Sequence, residues 1–195
     1  MVRSFLILIF GILIAAPASA QQAKKVAWFH PHLLAGYGSS VSTADTSQTS
    51  VGATNIGTTL GIRIKSKFLV GMSVDYRFVT QFSDYDPTVG NRRGGSLTYV
   101  SPLLGFEYKM ISVKGILHIL GSYTMQNTTA TGQKLSYQKA SGFRAEMMIG
   151  WKFKFKPVLY YESVKFSNQA LDGTPTSTQI PVVLTNYGLG LTYPF

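Results

Sequence analysis

The chain has no cysteine among its 195 residues. That excludes a disulfide framework and any thiolate metal site. Charge is scarce, with 13% of residues Asp, Glu, Lys or Arg, against about 25% in ordinary soluble domains. Acid is scarcer still: 8 Asp and Glu face 18 Lys and Arg. Long apolar runs are missing beyond the first twenty residues, so nothing there supplies the roughly 20 apolar residues of a spanning helix. What is plentiful is aromatic and small, with 11 Tyr, 12 Phe and 19 Gly. This combination points to strands in a membrane, because only helices and closed barrels satisfy every backbone polar group there.

The two ends carry distinct signals. Arg3 precedes an apolar run from Phe5 to Ala16, and Ala18 and Ala20 then fit an A-x-A cleavage site. Residues 1–20 are therefore expected to be a cleaved secretory signal, leaving 21–195 as one domain. No Cys follows the apolar run, so no lipoprotein anchor is expected. At the other end, Tyr187, Leu189, Leu191, Tyr193 and Phe195 alternate with Gly188, Gly190, Thr192 and Pro194. That is a period-2 strand with one apolar face.

The same alternation recurs through the chain. Strands are expected at about 32–42, 51–65, 68–80, 96–108, 113–125, 137–153, 158–167 and from Tyr187 to the end. The third places Phe68, Val70, Val74, Tyr76 and Phe78 on one face, with Ser73, Asp75 and Arg77 on the other. The sixth places Tyr137, Phe143, Met147, Trp151 and Phe153 opposite Gln138, Arg144, Glu146 and Lys152. In the seventh, Glu162 shares a face with Val158, Tyr160, Val164 and Phe166, so its facing is ambiguous. Short connections follow strands two, four and six. Longer polar ones, about 43–50, 81–95, 126–136 and 168–178, follow strands one, three, five and seven. This is the rhythm of short periplasmic turns and long external loops.

The expected fold class is all-β, an eight-stranded antiparallel transmembrane β-barrel. The competing architecture is a soluble up-and-down barrel with its apolar face inward. Large aromatics near strand ends on the apolar face, among them Tyr76, Phe78, Tyr108, Tyr137 and Trp151, favour apolar-out, as interface girdles. The polar face would then line a lumen just wide enough for side chains. There Arg63, Asp75, Arg77, Glu107, Arg144 and Glu146 are expected to pair, since buried charges must.

Basic residues gather at the expected periplasmic rim: Lys24 and Lys25, then Lys65, Lys67, Lys109 and Lys114, then Lys152, Lys154 and Lys156. No nucleic-acid motif accompanies them, so no nucleic-acid partner is expected. Such a rim suits either anionic headgroups or simple solubility.

Chemistry is weakly signalled. His118 and Ser122 lie four apart on one strand face, about 13 Å by strand rise, whereas a nucleophile and its base need about 3 Å. His118 is expected to be an inward polar filler. His30-Pro-His32 lacks a third ligand, and Asp84-Tyr-Asp86 lacks the ligand count of a calcium site. No catalytic residue, metal or cofactor is expected.

The terminal strand resembles that of bacterial outer-membrane barrels, which end on Phe; Pro194 departs from the usual pattern. The whole pattern resembles the OmpA-like and OmpX-like eight-stranded class. The resemblance implies outer-membrane localisation with periplasmic termini, contact with outer-membrane lipid, and a monomer. It also implies that Tyr193 and Phe195 serve as a signal to the barrel-assembly machinery. The function it implies is non-enzymatic, structural or surface-interacting through the external loops. The alternatives are a lipid A deacylase-like enzyme or a narrow pore.

Overall fold

The computed structural model describes residues 27–42, 48–65, 67–82, 92–127, 135–150, 154–171, 173–175 and 181–193. The expected leader, Asp84 and Asp86, Trp151 to Phe153, and Phe195 lie outside them. The elements are β1 (Ala27–Ser42), β2 (Gln48–Ile64), β3 (Phe68–Phe82), β4 (Arg92–Tyr108) and β5 (Ile111–His118). Then come β6 (Leu120–Asn127), β7 (Leu135–Ile149), β8 (Lys156–Leu171), the two-residue β9 (Thr174–Pro175) and β10 (Val182–Thr192). All pairings are antiparallel. β1 pairs β10, and β5 and β6 together form one wall strand between β4 and β7. The result is a closed eight-stranded antiparallel barrel.

Strands reach further than expected into the polar connections. β3 continues to Phe82 and β4 starts at Arg92; β8 continues to Leu171 and carries β9 on its end. The connections of 43–50, 81–95, 126–136 and 168–178 are accordingly shortened. The opposite end has a turn at Lys65–Lys67 and another at Lys109–Met110. β1 starts there and β10 ends there, since His32 pairs Thr192. Thr192 Oγ1 and the Tyr193 N–H both donate to the Pro31 carbonyl, at 2.9 and 3.0 Å, which fastens the closing seam.

The register sets the tilt. Paired positions lead from Trp28 through Gly61, Gly71, Leu103, Ile116, Arg144, Glu162 and Asn186 back to Gly38, ten residues further along β1. Such a stagger requires strands inclined by about 40° to the barrel axis.

Hydrophobic sense inverts along the strands. Over the turn-end part the outer wall is apolar, with Leu33, Ile56, Val74, Leu104, Leu117 and Leu189 among its exposed residues. On β3 this face runs from Phe68 to Phe78. At about 3.4 Å per residue and a tilt of about 40°, ten steps give roughly 26 Å of height, the apolar band of a membrane barrel. Aromatic side chains mark its edges: Phe29, Phe68, Phe106 and Tyr108 towards the turns, Tyr37, Phe78 and Tyr187 towards the loops.

Beyond that edge the outer wall turns polar, with Thr54, Thr80, Thr98, Ser122, Ser141 and Lys165 exposed. The inner wall there turns apolar, with Val51, Leu97, Tyr123, Phe166 and Leu184 in one cluster. The loop-end part is thus packed like a soluble barrel: a collar standing on the membrane-facing belt. The two competing architectures are stacked in one molecule.

Two bulges correct the expected facing. Ile119 interrupts the wall strand: Leu103 pairs Ile116, but Val100 already pairs Leu120, so one residue is extra. A bulge exchanges the faces beyond it. His118 therefore points inward while Ser122 is exposed outside, and the two do not share a face. In β7, Lys139 adopts a left-handed φ of 53° where the register with β8 shifts. Tyr137 consequently points inward, 3% exposed, instead of joining the outer girdle. The same irregularities open the β5/β6–β7 ladder. It ends at His118–Gly142 and resumes at Tyr123–Tyr137, leaving Ile119–Ser122 and Gln138–Ser141 without cross-strand partners on that side.

Candidate functional site in the lumen

The middle of the lumen holds a polar layer between the apolar collar interior and two smaller apolar clusters, one around Trp28 and Leu103, the other around Leu34 and Tyr160. Each polar side chain gets there by inward parity in a strand. Asp75 and Arg77 come from β3, Lys114 and His118 from β5, Arg144 and Glu146 from β7, and Glu162 from β8. The facing of β8 is thereby settled: Val158, Tyr160, Glu162, Val164 and Phe166 all point inward, while Leu159 and Tyr161 face out.

Arg77 and Glu162 sit on opposite walls. The Arg77 guanidinium donates from both terminal nitrogens to both carboxylate oxygens, each at 2.6 Å, with both side chains fully buried. The rings of Tyr99 and Tyr160 lie 5.8 and 6.0 Å from the guanidinium carbon. Arg144 reaches from β7 to β3, donating to Ser73 and Asp75 at 2.9 Å, and touches Glu146 at 2.9 Å. Asp75 also accepts from Asn55 at 3.0 Å and Ser73 at 2.5 Å, and its other neighbour is the His32 Nε2 at 2.7 Å. A Cβ at Gly57 would run into this Asp75–His32 contact, so glycine is what lets the two side chains meet.

Lys114 is not on the rim. It is buried, donates to Thr59 across the lumen at 3.0 Å, and lies 3.8 Å from Glu146. Of the six charges expected in the lumen, Asp75, Arg77, Arg144 and Glu146 lie in the buried layer. Arg63 and Glu107 do not join it. They pair with each other at 2.7 Å near the turn end, each 28% exposed. The buried layer holds three cations (Arg77, Lys114, Arg144) and three carboxylates (Asp75, Glu146, Glu162), so basic and acidic side chains are matched in number.

Two buried charges stand outside the expected lumen set: Glu162, whose facing the sequence leaves ambiguous, and Lys114, expected at the rim. For Lys114 a signal existed, since it alternates in phase with Ser112, Ile116 and His118, opposite Val113 and Leu117. For Glu162 the alternation was uninformative, because β8 crosses from belt to collar and both its faces carry large apolar residues.

One constellation has the look of hydrolytic machinery. The Ser101 Oγ lies 2.9 Å from the His118 Nδ1, and the His118 Nε2 lies 3.5 Å from Glu162. A nucleophile, base and orienting carboxylate need that order. However, all three side chains are fully buried, the Tyr99 ring lies 4.3 Å from the imidazole, and Arg77 engages both Glu162 oxygens. An ester could not reach Ser101 without opening the lumen. His30 and His32 also go to separate neighbours, Trp28 and Asp75. Among the described residues no three His, Cys, Asp or Glu side chains could share a metal ion.

No protein-family model and no curated protein sequence matches the chain. Solved structures do. The outer membrane protein AlkL, determined by solid-state NMR in lipid bilayers, is similar with a TM-score of 0.51 and 12% identity, over 92% of this chain and 94% of that one. The outer membrane protein OprG of Pseudomonas aeruginosa gives 0.48 and 15%, over 91% and 99%. The fold is that of a small outer-membrane β-barrel. The likeness to AlkL, at that identity, concerns the fold alone.

Proposed function

We propose that the chain is a non-enzymatic protein of the bacterial outer membrane, with a structural or surface-interaction role exercised through its loop end. The observation that carries this reading is the charge-balanced layer across the lumen, fastened by the Arg77–Glu162 pair between opposite walls. A barrel filled in this way offers little path for solutes, and its buried Ser101 offers no substrate access. What remains is the polar-walled collar with the four connections it carries. The end holding the short turns, Ala27 and Thr192 faces the periplasm, and the collar faces out. The chain acts as a monomer surrounded by outer-membrane lipid, with Tyr193 and Phe195 recognised by the barrel-assembly machinery during insertion.

Outer-membrane fractionation combined with heat-modifiable gel migration tests the reading. The folded protein is expected in the outer-membrane fraction, migrating differently before and after boiling. A soluble periplasmic protein would overturn it. The lipid-modifying alternative is favoured only by the Ser101–His118–Glu162 arrangement. Mass spectrometry of lipid A from cells with the protein, without it, and with His118→Ala is expected to show no difference.

A further inference from the structure

Every carboxylate among the described residues points into the lumen or its mouth: Asp75, Glu146 and Glu162 are buried, and Glu107 is paired with Arg63. The exposed charges of the described wall and turns are therefore cationic. At the turn end they include Lys65, Lys67 and Lys109. Lys65 and Lys109, in the two tight turns, both hold left-handed backbone angles, φ 49° and 51°. Gly or Asn adopts that conformation at less cost than a residue with a long side chain. Here lysine occupies it twice. The Lys67 N–H donates to the Ile64 carbonyl at 3.2 Å, and the Glu107 N–H donates to the Lys67 carbonyl at 2.7 Å, so the β2–β3 turn is tied to the end of β4. This brings two ammonium groups to one ring: Lys67 Nζ lies 5.4 Å and Lys109 Nζ 5.3 Å from the centre of Tyr108. Tyr108 is half exposed, and the edge-to-face pair Phe68–Phe106 marks the apolar boundary beside it.

We propose that Lys67, Lys109 and Tyr108 form a binding site for the phosphate of an anionic glycerophospholipid at the turn-end leaflet. The two ammonium groups donate to the phosphodiester, and the ring packs against the glycerol and first acyl carbons. Among the described residues, the carboxylate next to Tyr108 in the chain, Glu107, is paired with Arg63 at 2.7 Å and does not compete for the lysines. The proposal rests on the reading of the barrel as membrane-spanning, and the experiment separates the two.

The refolded protein is placed in phosphatidylcholine vesicles carrying trace spin-labelled phosphatidylglycerol or spin-labelled phosphatidylcholine, and the motionally restricted fraction of each label is measured. The wild type is expected to prefer phosphatidylglycerol. Lys67→Gln with Lys109→Gln lowers that preference by about five-fold per lysine at most, from the worth of a basic residue near an anionic surface. Lys139→Gln with Lys165→Gln, exposed towards the loop end, leaves it unchanged. Heat-modifiable migration of each variant reports that it has folded. Equal loss in both double variants, or no preference in the wild type, overturns the proposal. Inorganic phosphate, compared with chloride at equal ionic strength, is expected not to release the label; release by phosphate alone assigns the site to the free ion and overturns the lipid assignment. A wild type that fails to float with vesicles overturns the membrane reading as well, whereas floating without preference overturns this site only.

Discussion

Arg77 on β3 and Glu162 on β8 meet head-on across the full width of the barrel, through two hydrogen bonds of 2.6 Å. Neither side chain has any solvent exposure. Removing one partner leaves the other charge buried and alone, which costs about 3–5 kcal/mol. Glu162→Ala is therefore expected to unfold at markedly lower urea concentration in bilayers. Arg77→Met combined with Glu162→Leu is expected to recover most of that loss, because well-packed apolar replacements of a buried pair are often neutral or stabilising. A Glu162→Ala protein as stable as the wild type would show that the pair does not hold the opposite walls together.

The two arginine–carboxylate pairs that contain Arg63 and Arg144 differ in environment. Arg63 and Glu107 are partly solvated, and exposed pairs contribute about 0–1 kcal/mol. Arg144 is buried among Asp75, Glu146 and Glu162. Arg144→Ala strands three carboxylates with fewer cations, so its loss of stability is expected to exceed that of Arg63→Ala several-fold in the same urea titration. Equal effects would place the two arginines in equivalent surroundings.

The inversion from belt to collar gives positional contrast on a single strand. Val74 lies within the apolar band of β3, and Thr80 lies just past its edge, both pointing outward. Lysine at the bilayer midplane costs about 2–4 kcal/mol, falling to about 0–1 near the interface. Val74→Lys is expected to destabilise by the larger amount and Thr80→Lys by the smaller. Reversal of that order would place the apolar band nearer the loop end of β3.

The interrupted ladder between β5/β6 and β7 is a weak line in the wall. Backbone amides of Ile119–Ser122 and Gln138–Ser141 that point into this seam have no ladder partner there. They are expected to exchange with deuterium faster than those of Val113–Leu117 and Phe143–Met147 on the same strands. Uniform protection along both strands would show the seam to be closed in the bilayer.

Much of the fold was legible in the residues. The alternation of Phe68, Val70, Val74, Tyr76 and Phe78 with Ser73, Asp75 and Arg77 gave the correct facing of β3, and the eight strands follow from similar runs. The failures have physical causes. Tyr137 was expected outside because alternation was carried through Lys139, and a one-residue bulge has no strong sequence mark when lysine occupies it. Alternation puts Ser122 on the face of His118 for the same reason, the extra residue at Ile119. Glu162 stayed ambiguous because a strand that crosses from a membrane belt into a soluble-type collar exchanges its apolar face midway, so neither parity looks polar throughout. The position of Lys114 near a short turn suggests the rim, although its parity with Ser112 and Ile116 places it inside.

The most direct test of a lumen closed by its own charges is conductance of the refolded protein in planar bilayers. The expected result is no large, steady ohmic current from the wild type, with measurable leak appearing only when Arg77 and Glu162 are both truncated to alanine. A wild-type barrel that conducts large stable currents would contradict it.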